Sequence, residues 1–291
     1  MIRIAIAEDH QSLIDGLELL LKYEDGITIV GTANDGEALL EIVRKKRPTV
    51  VVTDIRMPKM DGIQATRLIK KEFPELVLIS DVALDPYNSD GHDGIVAKGM
   101  VDNDQSLKAL AKMSLVQAEA GFDILGPSDM MDGRIATMRN ALDKSGYENT
   151  GIMSYTAKYA SAFYGPFRDA LGSAPVLLKG VPKNKKGYQM NPANKREALI
   201  EAELDMLEGA DYLMVKPAIH YLDVIHTLKE NFNLPLVAYH VSGECAMLIA
   251  ACQNGWLTYE EAIPEALLCI KRAGADVILS YFAKDYLKLT Q

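Results

Sequence analysis

Short apolar runs alternate with longer amphipathic segments from one end of this chain to the other, and that rhythm leaves few folds open. The spacing predicts strands at Ile2–Ala7, Ile27–Gly31 and Thr49–Thr53, with helices over Leu13–Tyr23, Glu37–Lys46 and Gly62–Phe73. A fourth apolar run, Leu76–Ser80, continues without a break into Asp81–Leu84. Further strands are predicted at Asp123–Gly126, Gly151–Ser154, Tyr212–Val215, Leu236–Tyr239 and Val277–Ser280. Helices are predicted between and beside them over Asp104–Ala120, Ile135–Ser145, Ala193–Glu208, Tyr221–Asn231, Glu244–Asn254 and Thr258–Ala273. Short runs that are apolar on both faces suit buried parallel strands, and repeated βα units give one parallel sheet, open or closed into a barrel.

Length and charge narrow the rest. At 291 residues the chain can form one large barrel or two ordinary domains. A net charge of −9 argues against nucleic acid or an anionic membrane as partner. The stretch after Met1 is too short for a signal peptide, and no apolar run reaches membrane-spanning length. Cys245, Cys252 and Cys269 lack metal-ligand spacing, and an odd count gives no disulfide framework, so a cytoplasmic location is expected.

Glu8 and Asp9 directly follow the first predicted strand and Asp54 follows the third. Strand C-termini lie side by side in a parallel sheet, so these carboxylates could converge and hold a hard cation such as magnesium. Acidic residues after strands also cap helices, and spacing alone leaves both readings open. The strings Ala7-Glu8-Asp9-His10 and Thr53-Asp54-Ile55-Arg56-Met57-Pro58-Lys59-Met60-Asp61-Gly62 resemble the receiver domain of bacterial response regulators. That resemblance covers residues 2–80 and implies a flavodoxin-like winding. It makes Asp54 the phosphoacceptor, gives Glu8, Asp9 and Asp54 to magnesium, and puts Ser80 at the hydroxyl position. The pattern then stops: no fifth strand ending in lysine follows, and no helix-turn-helix.

Two lysines stand at predicted strand ends among small or apolar residues, Lys158 in Thr-Ala-Lys-Tyr and Lys216 in Met-Val-Lys-Pro. A poorly solvated lysine near a second cation loses proton affinity and can attack a carbonyl. An ordinary lysine that buries only its stem is the plainer alternative for either one alone. The strings Asp81-Val82-Ala83-Leu84-Asp85-Pro86-Tyr87, Pro127-Ser128-Asp129-Met130-Met131-Asp132-Gly133, Phe163-Tyr164-Gly165-Pro166-Phe167-Arg168, Met214-Val215-Lys216-Pro217-Ala218 and Val241-Ser242-Gly243-Glu244 occur in that order. From residue 81 onward they resemble the porphobilinogen synthase (5-aminolevulinate dehydratase) family. The resemblance implies a (βα)8 barrel that condenses two 5-aminolevulinates through Schiff bases on Lys216 and Lys158. It assigns Arg168, Lys185, Lys186 and Gln189 to one substrate carboxylate, Ser242 and Tyr281 to the other, and Asp81 to a substrate amine. Zinc-type members carry three cysteines after the Asp81 strand. Here Ala83, Asp85 and Asp93 stand there, so no zinc is expected, and Asp85 and Asp93 could hold magnesium weakly or stand metal-free.

The two resemblances meet at Ser80–Asp81, inside one apolar run. The expectation is therefore a hybrid, TIM-barrel-like (βα) barrel of about eight or nine parallel strands. Residues 1–80 would be receiver-like and residues 81–291 synthase-like, folding as one continuous domain. A splice without a linker reads as an engineered fold chimera with a vestigial synthase site of weak or absent activity. It would lack the parent's oligomer along with its N-terminal arm. An active synthase and a phosphoacceptor signalling module acting through Asp54 are the alternatives.

Overall fold

The structure, a computed structural model, describes residues 2–9, 11, 14, 27–48, 50–54, 57–171, 175 and 178–289. Most of the predicted helix Leu13–Tyr23 lies outside the described residues, as do His10, Ile55 and Arg56. The chain divides into two compact units, Met1–Leu78 with Glu119–Phe122, and Ile79–Ala118 with Asp123–Thr290.

In the first unit, strand β1 (Ile2–Ala7) runs parallel between β2 (Ile27–Ala33) and β3 (Val50–Thr53). Ile4, Ala5, Ile6 and Ala7 are all buried, as expected of a central strand covered on both faces. Helix α1 (Gly36–Lys46) is started by Asp35, whose carboxylate accepts from Ala38 N at 2.8 Å, and it buries Leu39, Leu40 and Val43. Helix α2 (Gly62–Glu72) opens on a capping box in which Asp61 and Gln64 each accept from the other's backbone N–H. Ala65 and Ile69 of α2 pack with Leu39, Val43, Met57 and Phe73 into one cluster. Asp61 of the Met-Asp-Gly string therefore has a structural task, starting a helix.

The second unit is built on a six-stranded parallel sheet. Its strands are β4 (Ile79–Val82), β7 (Ile124–Pro127), β8 (Gly151–Lys158), β9 (Tyr212–Lys216), β10 (Leu236–His240) and β11 (Val277–Ser280). They lie in sequence order from β4 at one edge to β11 at the other. The intervening helices include α3 (Asn103–Ala120), α4 (Arg134–Lys144), α5 (Gly165–Leu171), α6 (Arg196–Leu207), α7 (Leu222–Asn231), α8 (Ser242–Gln253) and α9 (Tyr259–Ala273), and α10 (Ala283–Leu289) ends the unit. A short hairpin, β5 (Val96–Ala97) and β6 (Met100–Val101), interrupts the link from β4 to α3. Consecutive neighbours joined by helices put every strand C-terminus on the same rim. The arrangement is half of a parallel barrel.

Two expectations need correction. The parallel strands form a three-stranded and a six-stranded sheet among the described residues, where one barrel of eight or nine strands was expected. The fourth apolar run was expected to be strand from Leu76 to Leu84, but β4 covers only Ile79–Val82. Leu76 and Val77 are exposed and precede the ladder, whose register with β7 begins at Ile79. No helix among the described residues is long and apolar enough to cross a membrane.

Candidate active site

Parallel register brings the two lysines together. Lys158, last residue of β8, is the ladder partner of Lys216, last residue of β9. Paired residues on neighbouring strands point to the same face, roughly 5 Å apart at the backbone. The register shifts between Ser154 and Ala157, where three steps along β8 meet two along β9. That bulge carries the odd residue that sets which face Lys158 shares.

Their surroundings differ sharply. Lys216 Nζ lies 4.1 Å from the centroid of the Tyr239 ring and 5.2 Å from that of Tyr155, with Tyr164 and Phe167 each at 5.7 Å. Ring faces attract a cation but solvate it poorly. Burial, and then repulsion from Lys158, bring the Lys216 amine down to about 8, against a partial pull upward from Asp81. Its backbone is fixed: Lys216 O accepts from Tyr159 N at 2.9 Å and from the Tyr164 hydroxyl at 3.0 Å.

Lys158 is held by carboxylate. Its ammonium donates to Asp93 Oδ2 at 3.0 Å and to the carbonyl of Ser128. Burial alone would lower its proton affinity, but the charges of Asp93 and Asp85 outweigh that and raise it. Asp93 is 2 % exposed. It also accepts from Lys185 at 2.5 Å and from Gln189 Nε2 at 3.1 Å. Burial opposes its charge, yet the two ammoniums bring its carboxyl down to about 2. Asp85, 3.8 Å from Lys185, is pushed up by burial and by Asp93. One lysine is therefore a firmly held cation and the other a weakened one. Such an asymmetric pair can give one amine to nucleophilic attack while its neighbour keeps its proton.

Asp81 lines the same cleft from β4 and hydrogen-bonds Ser128. Its side chain keeps some exposure, and the protein atoms crowding it raise its carboxyl against the pull of Lys216 and Lys158. Arg168 lines the cleft, donating to Ser161 O at 3.4 Å with its guanidinium over the Tyr164 ring. Lys185 and Gln189 line it too. Lys186 is exposed and outside the lining. Ser242 accepts from Phe167 N at 3.2 Å, and Tyr281 lies outside the lining, hydrogen-bonded to Tyr239. Sequence reasoning assigned nothing to Ser128, Tyr164, Phe167, Tyr155 or Tyr239. Ser128 directly follows β7, so the strand-end rule that picked the lysines would have picked it as well.

The loop after β4 fits no zinc ion, since Ala83 offers no donor and the two carboxylates are hard ligands. Asp93 is neutralised by two ammoniums, so a magnesium ion there would compete with Lys158 and Lys185. In the first unit, Glu8, Asp9 and Asp54 place one ligand atom each within 4.8 Å of the others.

Comparison with known proteins places the chain. The family model described as delta-aminolevulinic acid dehydratase matches residues 39–289. The chloroplastic delta-aminolevulinic acid dehydratase of Chlamydomonas reinhardtii is 57 % identical over 220 residues, 74 % of this chain and 56 % of that protein. The delta-aminolevulinic acid dehydratase of Bradyrhizobium diazoefficiens is also 57 % identical over 220 residues, covering 76 % of this chain and 61 % of its own length. This chain thus spans little more than half the length of those relatives. The crystal structure of the Toxoplasma gondii ME49 enzyme with its reaction product porphobilinogen superposes with a TM-score of 0.78 at 38 % identity, covering 99 % of this chain and 83 % of that one. Response-regulator structures reach TM-scores of only 0.25 to 0.29, too low to carry an argument. These findings overturn the reading of an engineered chimera with a vestigial site. The family match begins about forty residues before the supposed junction at Ser80, and the structural match runs through it. From Lys158 beside Lys216 to the match across residues 39–289, the chain belongs to the delta-aminolevulinic acid dehydratase family.

Proposed function

We propose that this chain condenses two molecules of 5-aminolevulinate to porphobilinogen, releasing two waters, with Lys216 and Lys158 each holding one substrate as a Schiff base. The observation that carries the reading is the ladder pairing of these lysines at one rim. Imine formation requires an unprotonated amine to attack the ketone, and the Lys216 amine at about 8 supplies one near neutral pH. Lys158 would act second, after giving up the proton that Asp93 and Asp85 hold on it. Asp81 would hold a substrate amine. Arg168, Lys185 and Gln189 would bind one substrate carboxylate, with Lys186 closing over it, and Ser242 and Tyr281 the other. The relatives' printed names support this chemistry, and so does the product held in the Toxoplasma gondii structure. No metal is needed at the cleft, because Lys158 and Lys185 already neutralise Asp93. A cytoplasmic setting is proposed on the three free thiols.

Borohydride reduction in the presence of 5-aminolevulinate tests it. Peptide mass analysis should find adducts on Lys216 and on Lys158, with trapping at Lys216 rising through a midpoint near pH 8 as the amine deprotonates. Adducts on neither lysine would remove the proposal.

For residues 1–80 the receiver likeness is retained as a proposal, supported by the string from Asp54 to Gly62 and by the convergence of Glu8, Asp9 and Asp54. Those carboxylates would bind magnesium, with Asp54 at the phosphoacceptor position. Titration calorimetry should show one magnesium per chain, lost in Asp54→Ala. An unchanged isotherm in that variant would remove the assignment.

A further inference from the structure

Glu244 is a fully buried carboxylate that the chemistry above does not use. It sits in the first turn of α8, and four N–H groups converge on it. Oε2 accepts from Val241 N at 3.0 Å and from Ala218 N at 3.2 Å. Oε1 accepts from His220 N at 3.3 Å and from His220 Nδ1 at 3.1 Å, which fixes the ring proton on Nδ1. The bond to Val241 is the ordinary half of a capping box, since valine has no side-chain acceptor to complete it. The other three reach across to the turn that directly follows Lys216.

That turn, Pro217 to Tyr221, decides where β9 ends and so where the Lys216 stem departs. The neighbouring rim is bound to the same clamp. His220 stacks on Phe163 at 4.0 Å between ring centroids, and Ser242 accepts from Phe167 N. Gly243 approaches Phe163 so closely that a Cβ there would stand 2.3 Å from its carbonyl oxygen. Phe163 and Phe167 flank Tyr164, whose hydroxyl donates to Lys216 O.

We propose that Glu244 is the positioning residue for Lys216: a buried carboxylate that ties the Ala218–His220 turn of β9 to the start of α8 and thereby aims the amine into its ring of aromatics. Charge-assisted bonds of this kind are stronger than neutral ones, and no neutral side chain of the same shape accepts four donors. Among the described residues no comparable buried carboxylate binds the turn after Lys158, whose ammonium is held by Asp93 and Ser128. Glu244 therefore acts on one lysine of the pair. The inference rests on the Schiff-base reading given above.

The experiment is site-resolved borohydride trapping with 5-aminolevulinate in the full chain and in Glu244→Gln. The glutamine keeps the shape but turns an NH2 toward two donors. Trapping at Lys216 should fall about tenfold or more, as expected for displacement of a reacting group by a fraction of an ångström, with trapping at Lys158 within twofold of its starting rate. Asp205→Asn serves as the matched comparison. It disturbs another buried carboxylate, paired with Arg134, and should leave the Lys216-to-Lys158 ratio unchanged. If Glu244→Gln does not accumulate as folded protein, His220→Phe gives the same readout. It keeps the ring stack on Phe163 and removes the Nδ1–H, and the loss should again fall on Lys216. An equal loss at both lysines, or an unchanged ratio in the folded variant, overturns the inference. Absence of any Lys216 adduct in the unaltered chain overturns the Schiff-base reading itself.

Discussion

Replacing Lys216 with alanine is expected to lower porphobilinogen formation by about 10⁴-fold or more, the scale on which enzymes lose turnover when a covalent nucleophile is removed. Instability does not account for such a loss. Among the described residues the Lys216 ammonium is surrounded by the faces of Tyr239, Tyr155, Tyr164 and Phe167, and Asp81, which feels its charge, keeps that of Lys158, so truncation costs little stability. The bonds to Lys216 O from Tyr159 N and from the Tyr164 hydroxyl survive in alanine. The variant should therefore stay folded, and it should still trap 5-aminolevulinate on Lys158. A rate within tenfold of the unaltered chain, measured on protein with the same unfolding transition, would contradict this.

Asp93→Asn is expected to have the opposite profile, with stability as its first casualty. The asparagine keeps the shape and leaves Lys158 and Lys185 buried together without the carboxylate that holds them. Removing one partner of a buried ion pair costs about 3–5 kcal/mol. The acid limb should change as well. Asp93 binds its proton at about 2 in the fold, against 3.8 for a free aspartate, so the unfolded chain takes up that proton first. Its contribution is complete above pH 3.8 and is lost as the pH falls through the interval from 3.8 to about 2. Urea unfolding at neutral pH and in acid checks both effects. The variant should be weaker at neutral pH and show less further loss in acid. A neutral-pH difference below about 1 kcal/mol would show that the pair is not the anchor described here.

The strand and helix pattern was legible because each element writes its period into its own residues. β9 and β10 are short apolar runs, and α9 carries Ile263, Leu267 and Ile270 buried at helical spacing. What failed was extent and closure. Leu76 and Val77 look like strand residues but are exposed, and only hydrogen-bonded register could show that the ladder starts at Ile79. β8 continues to Lys158 through a polar stretch, because Ser154 and Thr156 are buried with partners that sequence cannot display. Helix α5 begins Gly-Pro-Phe and carries no apolar stripe to betray it.

The site divided in the same way. Lys216 and Lys158 were found from their strand-end context, yet nothing local indicates that they are ladder partners. Asp93 read as a weak magnesium ligand, and its engagement by Lys158 and Lys185 spans 65 and 92 residues of chain. The chimera reading failed because a convincing string at Asp54–Gly62 was given a boundary that the family match crosses.

The central claim is that the paired lysines condense 5-aminolevulinate. Purified chain supplied with 5-aminolevulinate should form porphobilinogen, detected by its colour with Ehrlich's reagent. The rate should be unchanged by EDTA and lost in both Lys216→Ala and Lys158→Ala. No colour from folded, unaltered chain, or colour that persists in both lysine variants, would contradict the account.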